Sequence, residues 1–301
     1  MTGFLVTGAG GALGSVLMRE LTRARRPVEG IVSPDGPLPL HGVAWRADLR
    51  DPRTYSERVR TLAPEVIVHL GAVSRPADAY RDPARARKVN VESTGVLLGL
   101  AAAVGARFVY ASTDLVFSGE EPPYDEEDPA RPVSLYGRTK LEAESHVLAY
   151  PRGLVLRLPL LYGFPAAARA PTFFETVLER LRAGRSVKLF ADEFRTPIWL
   201  EDAARACVRI SATDLRGVMH LGGPERLSRL EMGERIAAAV GAPAHLLEAG
   251  SQAESGSHES RARDVSLNSS RYMAAFGESP GRPVREALQE LLLHPPDRRM
   301  E

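Results

Sequence analysis

Short apolar runs alternate with longer stretches of helical period through the first half of the chain. The apolar runs are continuous, which is typical of strands that are buried on both faces of a sheet. We predict strands at Phe4–Thr7, Val28–Val32, Val43–Ala47, Val66–Leu70, Phe108–Ser112 and Leu154–Leu158. Helices are predicted between them at Ala12–Ala24, Pro52–Leu62, Pro83–Val104 and Leu135–Ala149. Strands that alternate with helices predict a doubly wound α/β fold with a parallel sheet.

The second half has a less regular pattern. Strands are predicted at Val187–Phe190 and Val218–Leu221, and loops at Pro165–Pro171 and Gly250–Ser260. Helices are predicted at Phe173–Ala183, Asp202–Ile210, Leu230–Val240, Ser269–Phe276 and Val284–Leu293. These elements indicate a smaller C-terminal α/β lobe. In a parallel sheet, ligands bind beyond the carboxyl ends of the strands, so functional residues are expected just after each strand.

A glycine-rich turn follows the first predicted strand. The sequence Thr7-Gly8-Ala9-Gly10-Gly11-Ala12-Leu13-Gly14 joins this strand to a helix. Glycine suits such a turn because a Cβ atom would block the tight bend, the approach of a phosphate, or the packing of the helix on the strand. Free backbone N–H groups and the positive end of the helix dipole can then hold a pyrophosphate. The turn therefore indicates dinucleotide binding, with a purely structural turn as the alternative.

Composition narrows the choice of partners and compartment. The chain has 301 residues, 44% of them hydrophobic, and a formal net charge of +1. This balance gives no electrostatic basis for binding nucleic acid or an anionic membrane, and no apolar segment is long enough to span a bilayer. One cysteine and seven histidines without ligand spacing predict no metal site. Because the first strand begins at Phe4, we expect no signal peptide and a cytoplasmic protein.

A tyrosine and a lysine stand four residues apart on a predicted helix. Tyr136 and Lys140 share one face at this spacing, and the strand before this helix runs into Ser112-Thr113-Asp114. An ammonium beside a phenol is expected to lower the phenol pKa from about 10 toward neutrality. Tyr136 could then serve as a general acid or base. An exposed helix pair is the alternative, but Lys140 is one of only three lysines in the chain.

Ordered segments along nearly the whole chain share the sequence patterns of one known group. They are Thr7–Gly14, Asp48–Asp51, His69–Ala72, Asn90–Val91 with Thr94, Ala111–Gly119, Tyr136 with Lys140, Arg157–Gly163 and Arg195–Asp202. In this order they resemble the extended short-chain dehydrogenase/reductases, and among these the dTDP-4-dehydrorhamnose reductase group of nucleotide-sugar ketoreductases. The resemblance implies a Rossmann-type dinucleotide-binding domain over residues 1–163 with returning segments at about 185–222. The substrate lobe would comprise about 164–184 and 223–301.

The resemblance also implies catalytic roles. Tyr136 would donate a proton to the substrate carbonyl oxygen while hydride reaches the carbon. Lys140 would lower the tyrosine pKa and bind the nicotinamide ribose. Thr113 would polarise the same carbonyl, and Asn90 would support the proton relay. His69, at a strand end, is expected to be packed rather than catalytic.

The cofactor implied is NAD or NADP. The residues expected to contact it are Gly8, Gly11, Ala12, Leu13, Gly14, Ser33, Asp48, Leu49, Leu70, Gly71, Ala72, Tyr136, Lys140 and Pro159. Choice between the two dinucleotides depends on the residue after the second strand, which is acidic for NAD and has a nearby arginine for NADP. Here that position is Ser33, followed by Pro34 and Asp35. The sequence therefore leaves the choice open.

The substrate implied is a nucleotide sugar, with Ser112, Asp114 and Arg195 as candidate contacts. Arg261 and Arg263 are further candidates for the diphosphate, because a planar guanidinium suits phosphate oxygens. A homodimer is expected through the helices at Pro83–Val104 and Leu135–Ala149.

Three activities remain open at this point. The first is reduction of a 4-keto nucleotide sugar, and the second is epimerisation on the same scaffold. Dehydration is disfavoured because dehydratases have a glutamate where this chain has Leu115. The third is a cofactor-binding regulatory role like that of the regulatory subunit of methionine adenosyltransferase, which the complete set of Thr113, Tyr136 and Lys140 disfavours.

Overall fold

The computed structural model describes residues 3–167, 171–254, 256 and 259–293. Residues 168–170 of the first predicted loop, and 255, 257 and 258 of the second, lie outside this part. The strands are β1 (Phe4–Thr7), β2 (Val28–Val32), β3 (Val43–Arg46), β4 (Val66–His69), β5 (Arg107–Thr113), β6 (Gly153–Leu158), β7 (Leu161–Tyr162), β8 (Val187–Phe190), β9 (Phe194–Arg195), β10 (Ile198–Trp199), β11 (Gly217–His220), β12 (Leu227–Ser228) and β13 (Leu247–Gly250).

The helices follow the predicted order with one addition. They are α1 (Ala12–Arg23), α2 (Ser56–Leu62), α3 (Pro76–Arg81), α4 (Pro83–Arg87), α5 (Ser93–Val104), α6 (Leu135–Leu148), α7 (Phe173–Arg182), α8 (Leu200–Ser211), α9 (Arg229–Val240), α10 (Ser270–Phe276) and α11 (Val284–Leu293). Short 3-10 turns lie at Pro52–Thr54, Asp114–Val116, Ala244–Leu246 and Gln252–Glu254, and a π-helical segment at Lys88–Glu92.

Seven strands form one parallel sheet in the order β11-β6-β5-β4-β1-β2-β3. This confirms the predicted Rossmann-type α/β fold. Alternate residues of each strand enter different apolar layers: Leu5 and Ile67 pack with α5, whereas Val6 and Val68 pack with α1. Burial on both faces explains the continuous apolar runs in the sequence.

Two helical predictions need correction. The helix predicted at Pro52–Leu62 is two elements: a 3-10 turn at Pro52–Thr54 and then α2, separated by Tyr55. The helix predicted at Pro83–Val104 contains the π-helical segment between α4 and α5, and α3 was not predicted. A new helix starts at Pro83 because Asp82 accepts a hydrogen bond from the backbone N–H of Arg85, at 3.0 Å.

The segment at about 185–222, predicted to return to the dinucleotide-binding domain, contributes strands to two different sheets. Strand β11 joins the central sheet beside β6, and α8 packs against α1. Strand β8 instead pairs with β13 in a separate two-stranded sheet. Within the described residues, no helix is both long enough and apolar enough to cross a membrane.

Candidate functional site

A cleft of about 1040 Å³ lies at the carboxyl ends of the central strands. Its walls combine residues that follow β1, β2, β4, β5 and β6 with residues of the second half of the chain. With the exception of Arg263, the residues predicted to contact cofactor or substrate line it: Gly8, Gly11, Ala12, Leu13, Gly14, Ser33, Asp48, Leu49, Leu70, Gly71, Ala72, Ser112, Thr113, Asp114, Tyr136, Lys140, Pro159, Arg195 and Arg261. Asn90 is not among the lining residues. The roles of these residues stay predictions, but their convergence is a structural fact.

The glycine turn forms one end of the cleft. Gly8 has a φ of +69°, and a Cβ atom on Gly14 would lie 2.1 Å from the carbonyl oxygen of Gly8. Helix α1 has Gly11 as its N-cap, with no side-chain cap. Its first i→i−4 bond runs from the Ser15 N–H to the Gly11 carbonyl, at 3.0 Å. The preceding N–H groups therefore have no helical acceptor, and the turn fits a pyrophosphate at this helix N-terminus.

The wall beyond β2 and β3 combines a serine with an acid–arginine pair. Ser33 is exposed at the cleft. The guanidinium of Arg46 holds the turn after Ser33 by donating to the carbonyl oxygens of Pro34 and Gly36, at 2.9 and 2.6 Å. Asp48 accepts from the Nε and Nη2 of Arg50, at 2.9 and 2.6 Å, and this hydrogen bonding lowers the Asp48 pKa. This wall of the cleft thus contains the neutral hydroxyl of Ser33 and the guanidinium of Arg50, which is paired with Asp48.

The opposite end holds Thr113 at the end of β5, with Tyr136 and Lys140 on α6. Helix α6 begins at the predicted place because Ser134 caps it, accepting from the Gly137 N–H at 3.0 Å. Tyr136 and Lys140 are 8% and 2% exposed. The Lys140 ammonium lies 4.0 Å from the centre of the Tyr110 ring. The predicted hydride-transfer residues therefore line the cleft and are all buried.

The predicted lowering of the Tyr136 pKa is wrong. Burial raises this pKa, the Asp114 carboxylate raises it further, and a hydrogen bond with Thr113 offsets only part of the rise. Burial also lowers the Lys140 pKa to about 7, against an opposing effect of Glu144. Desolvation is the largest cause of the rise in the Tyr136 pKa, and the Lys140 ammonium does not reverse it. In this structure Tyr136 is a phenol at neutral pH.

Asn90 lies behind α6 rather than in the cleft, and it is 1% exposed. Its side-chain oxygen accepts from the backbone N–H of Val73 at 2.8 Å, and its amide donates to the hydroxyl of Thr139 at 2.9 Å. Thr139 donates in turn to the carbonyl oxygen of Tyr136, at 2.8 Å. The Asn90 side chain therefore joins the loop after β4 to the helix that carries Tyr136.

Ser112 is hydrogen-bonded to the buried ion pair of Glu144 and Arg157. Its hydroxyl donates to the Glu144 carboxylate, which also accepts from Nη2 of Arg157 at 2.8 Å. Glu144 and Arg157 are 1% and 4% exposed. Ser112 lines the cleft, but this hydrogen bond directs its hydroxyl toward α6, which carries Glu144.

A cluster of charges faces the cleft from the second half of the chain. Glu193 is fully buried. Its carboxylate oxygens form ion pairs with the Nη2 atoms of Arg229, Arg261 and Arg195, at N–O distances of 2.8, 2.6 and 3.4 Å. Burial acts to raise the Glu193 pKa, but these three guanidiniums lower it to about 2. Asp114 lies beside the cluster, with its Oδ2 3.3 Å from Nε of Arg195.

The sequence predicts only part of this cluster. Arg195 is a predicted substrate contact and Arg261 a further candidate, whereas Glu193 and Arg229 are not predicted. Arg229 is the first residue of α9, one position before the predicted helix, and its contact with Glu193 joins distant parts of the chain. Arg263 is exposed and is not among the residues that line the cleft.

Comparison with known proteins identifies the group. The family model of the RmlD substrate binding domain matches residues 1–295. Methionine adenosyltransferase 2 subunit beta of Bos taurus is 31% identical over 96% of this chain and 86% of its own length. A probable low-salt glycan biosynthesis reductase, Agl14 of Haloferax volcanii, is 30% identical over 90% of this chain and 91% of its own.

A solved structure shares the fold over the full length. The dTDP-4-dehydrorhamnose reductase of Bacillus anthracis, in complex with NADP, superposes with a TM-score of 0.83 at 21% identity, covering 98% of this chain and 100% of that one. The family match covers nearly every element that builds the cleft. The chain belongs to the RmlD substrate binding domain family, a group of the extended short-chain dehydrogenase/reductase type.

Proposed function

We propose that this protein is an NAD(P)H-dependent reductase of a 4-keto nucleotide sugar. The observation that carries the proposal is the meeting of Thr113, Tyr136 and Lys140 in a cleft whose other end is the glycine turn. The cleft spans both sites that such a reaction needs, a pyrophosphate seat and a proton donor. The family and the curated relative Agl14, a probable reductase, support it.

The chain's own residues account for the proton and the charge. A bound reduced nicotinamide dinucleotide supplies hydride to the substrate carbonyl carbon. The buried phenol of Tyr136 donates a proton to the carbonyl oxygen, and Thr113 donates a hydrogen bond to the same oxygen. Lys140 binds the nicotinamide ribose and, when protonated, stabilises the phenolate that remains. Turnover ends when water returns a proton to Tyr136.

Charge in the second half of the chain supports a diphosphate substrate. Three arginines and two carboxylates, Glu193 and Asp114, line this side of the cleft and leave one net positive charge there. The Oδ2 of Asp114 accepts no hydrogen bond from the described residues, although Arg195 lies nearby. A buried carboxylate oxygen in this state suits the hydroxyl of a sugar. We propose that the arginines bind the diphosphate and that Asp114 orients the sugar.

The proposal is tested by turnover of dTDP-4-keto-6-deoxyglucose with NADH and with NADPH, followed by nicotinamide absorbance. Tyr136→Phe should bind cofactor normally and lose about 10²–10⁴-fold in kcat, because only the proton donor is removed. Tyr150→Phe is the matched control. Its hydroxyl donates to the Ala106 carbonyl at 2.7 Å, at the far end of α6, and the variant should retain kcat. Near-normal kcat in Tyr136→Phe would refute the mechanism.

A regulatory role is the second candidate. It is favoured by the 31% identity with methionine adenosyltransferase 2 subunit beta over 96% of this chain. In that case cofactor would bind without turnover of any 4-keto nucleotide sugar, and the protein would form a complex with a methionine adenosyltransferase catalytic subunit. Size-exclusion chromatography of the mixed proteins, with and without cofactor, separates this outcome from catalysis.

The homodimer also remains a prediction. The outer face of α5 carries Gly95 and Gly99, and a Cβ atom at either position would meet no atom within 4 Å. We infer that this small-residue face of α5 could approach a second copy. Light scattering of the purified protein measures the oligomeric state directly.

A further inference from the structure

His69 is a buried histidine between two hydroxyl groups. It ends β4 and is 1% exposed. Its Nδ1 lies 2.5 Å from Oγ1 of Thr7, and its Nε2 lies 3.0 Å from Oγ1 of Thr94. The ring packs against Phe108 and Tyr110, with ring centres 5.8 and 5.7 Å away. Both ring nitrogens therefore have polar partners inside the core.

The hydrogen bonds around His69 fix its tautomer. Oγ1 of Thr94 lies 2.8 Å from the carbonyl oxygen of Asn90. A carbonyl cannot donate, so Thr94 uses its single hydroxyl hydrogen there. Thr94 must therefore accept from His69, which places the ring hydrogen on Nε2. Burial lowers the His69 pKa to about 3, with Lys140 acting in the same direction, so the ring is neutral at physiological pH.

The other ring nitrogen gives a consistent result. With the hydrogen on Nε2, Nδ1 of His69 is an acceptor and receives the hydroxyl hydrogen of Thr7. The Thr7 oxygen in turn accepts the backbone N–H of Gly71, at 3.1 Å. The hydrogen bonds thus run in one direction, from the Gly71 peptide through Thr7, His69 and Thr94 to the Asn90 carbonyl. Each hydroxyl and ring hydrogen is used once.

The two ends of this chain of hydrogen bonds lie beside the glycine turn and beside α6, the helix that carries Tyr136. Gly71 abuts the glycine turn, since a Cβ on Gly8 would lie 2.8 Å from the Gly71 nitrogen. Asn90 binds the Thr139 hydroxyl through its side chain, and Thr139 binds the carbonyl of Tyr136. One continuous polar path therefore connects the proposed pyrophosphate seat with the helix of the proposed proton donor.

We propose that His69 is a positioning residue, fixed as the Nε2–H tautomer, that holds the Tyr136 helix in register with the cofactor turn. The inference goes beyond a packed core histidine, and its kinetic part rests on the proposed reductase function. His69 does not line the cleft, so it acts through Thr94 and Asn90 rather than on substrate. Substitution can remove the Thr94 hydroxyl, whereas Asn90 accepts through its backbone carbonyl.

The tautomer is tested without any activity assay. In a long-range ¹H–¹⁵N spectrum of the full-length protein, His69 should show a pyridine-like Nδ1 and a pyrrole-like Nε2. His220 is the internal control with the opposite expectation, because its Nδ1 lies 3.1 Å from the Asn268 carbonyl and must donate to it. His69→Gln and His220→Gln assign the two signals. A pyrrole-like Nδ1 or an imidazolium pattern at His69 would overturn the inference.

Kinetics test the positioning role. Thr94→Val removes the acceptor of the His69 hydrogen bond and the donor to Asn90 while preserving side-chain shape. It should lower kcat at saturating cofactor about tenfold, equivalent to about 1.4 kcal/mol, and leave the cofactor KM within about threefold. Thr94→Ser, which restores the hydroxyl, should recover kcat to within about threefold of the original.

The outcomes separate the two proposals. A Thr94→Val protein that is less stable but has normal kcat would assign the network a structural role alone and overturn positioning. A wild-type protein without turnover would refute the proposed reductase function. The long-range ¹H–¹⁵N spectrum would still determine the His69 tautomer, because that measurement does not depend on turnover.

Discussion

Replacing Lys140 by methionine should make the folded protein more stable while removing its proposed activity. The lysine is 2% exposed, and burial lowers its pKa from the ordinary 10.5 to about 7. At about 1.4 kcal/mol per pKa unit, this difference corresponds to about 5 kcal/mol of lost stability when both states carry the charge. Methionine keeps the length without the charge. Allowing for relaxation and water penetration, we expect the free energy of unfolding to rise by about 2–4 kcal/mol.

The sign of this effect depends on pH in a defined way. Between about pH 7 and 10.5 the unfolded state binds a proton at Lys140 that the folded state has released. The stability contributed by this site therefore rises with pH across that window. Lys140→Met removes this dependence. Its advantage over the wild type should be largest below pH 7 and should shrink as the pH approaches 10.5.

Urea unfolding of both proteins at about pH 6, 7, 8 and 9 measures this difference. Lys188→Met is the matched control, since Lys188 is exposed and pairs with Glu254 at 2.7 Å; it should lack the stabilisation and its pH dependence. Cofactor titration and turnover complete the comparison. If Lys140→Met is no more stable than wild type at pH 7, and the difference does not change with pH, then burial does not act on Lys140 as argued.

Three further predictions concern the turn, the cofactor and a helix cap. Gly14→Ala should weaken cofactor binding at least about tenfold, because its Cβ would lie 2.1 Å from the Gly8 carbonyl oxygen; nicotinamide fluorescence titration with unchanged affinity would contradict this. Ser33→Asp should raise the KM ratio of NADPH to NADH by about tenfold or more, because a carboxylate there repels a 2′-phosphate; an unchanged ratio would place the ribose elsewhere. Thr172→Ala should cost about 1 kcal/mol in urea unfolding, since Thr172 and Glu175 form a reciprocal capping box at the start of α7; unchanged stability would mean that the box contributes nothing.

The sequence could predict the sheet because burial on both faces leaves a local pattern. Residues such as Val6, Val68 and Val109 must all be apolar wherever their partners lie along the chain. The π-helical segment at Lys88–Glu92 leaves no such pattern, because its five residues are too few to establish a period of their own. Pairing of β8 with β13 likewise depends on chain folding between them, and local periodicity does not contain it.

The candidate site was predictable where chemistry depends on spacing. Glycine at Gly8 and Gly14, and the separation of Tyr136 from Lys140, are local requirements that a sequence can show. The contact of Glu193 with Arg229 is different, because it joins a loop after β8 to the start of α9. Arginines are so frequent in this chain that one outside a recognised segment, such as Arg229, is not informative until its partner is known. The fold therefore supplied the charge cluster that the sequence could not.

The wrong sign predicted for the Tyr136 pKa bears on the choice between reduction and epimerisation. Spacing alone places an ammonium near a phenol, but it does not give the cost of burying the phenolate, and here burial and Asp114 raise the pKa. Reduction begins with tyrosine as an acid, which a buried phenol already is at neutral pH. Epimerisation begins with oxidation of the sugar, for which tyrosine must first be a base. The same residues could perform either step, and the raised Tyr136 pKa is consistent with the reduction that we propose.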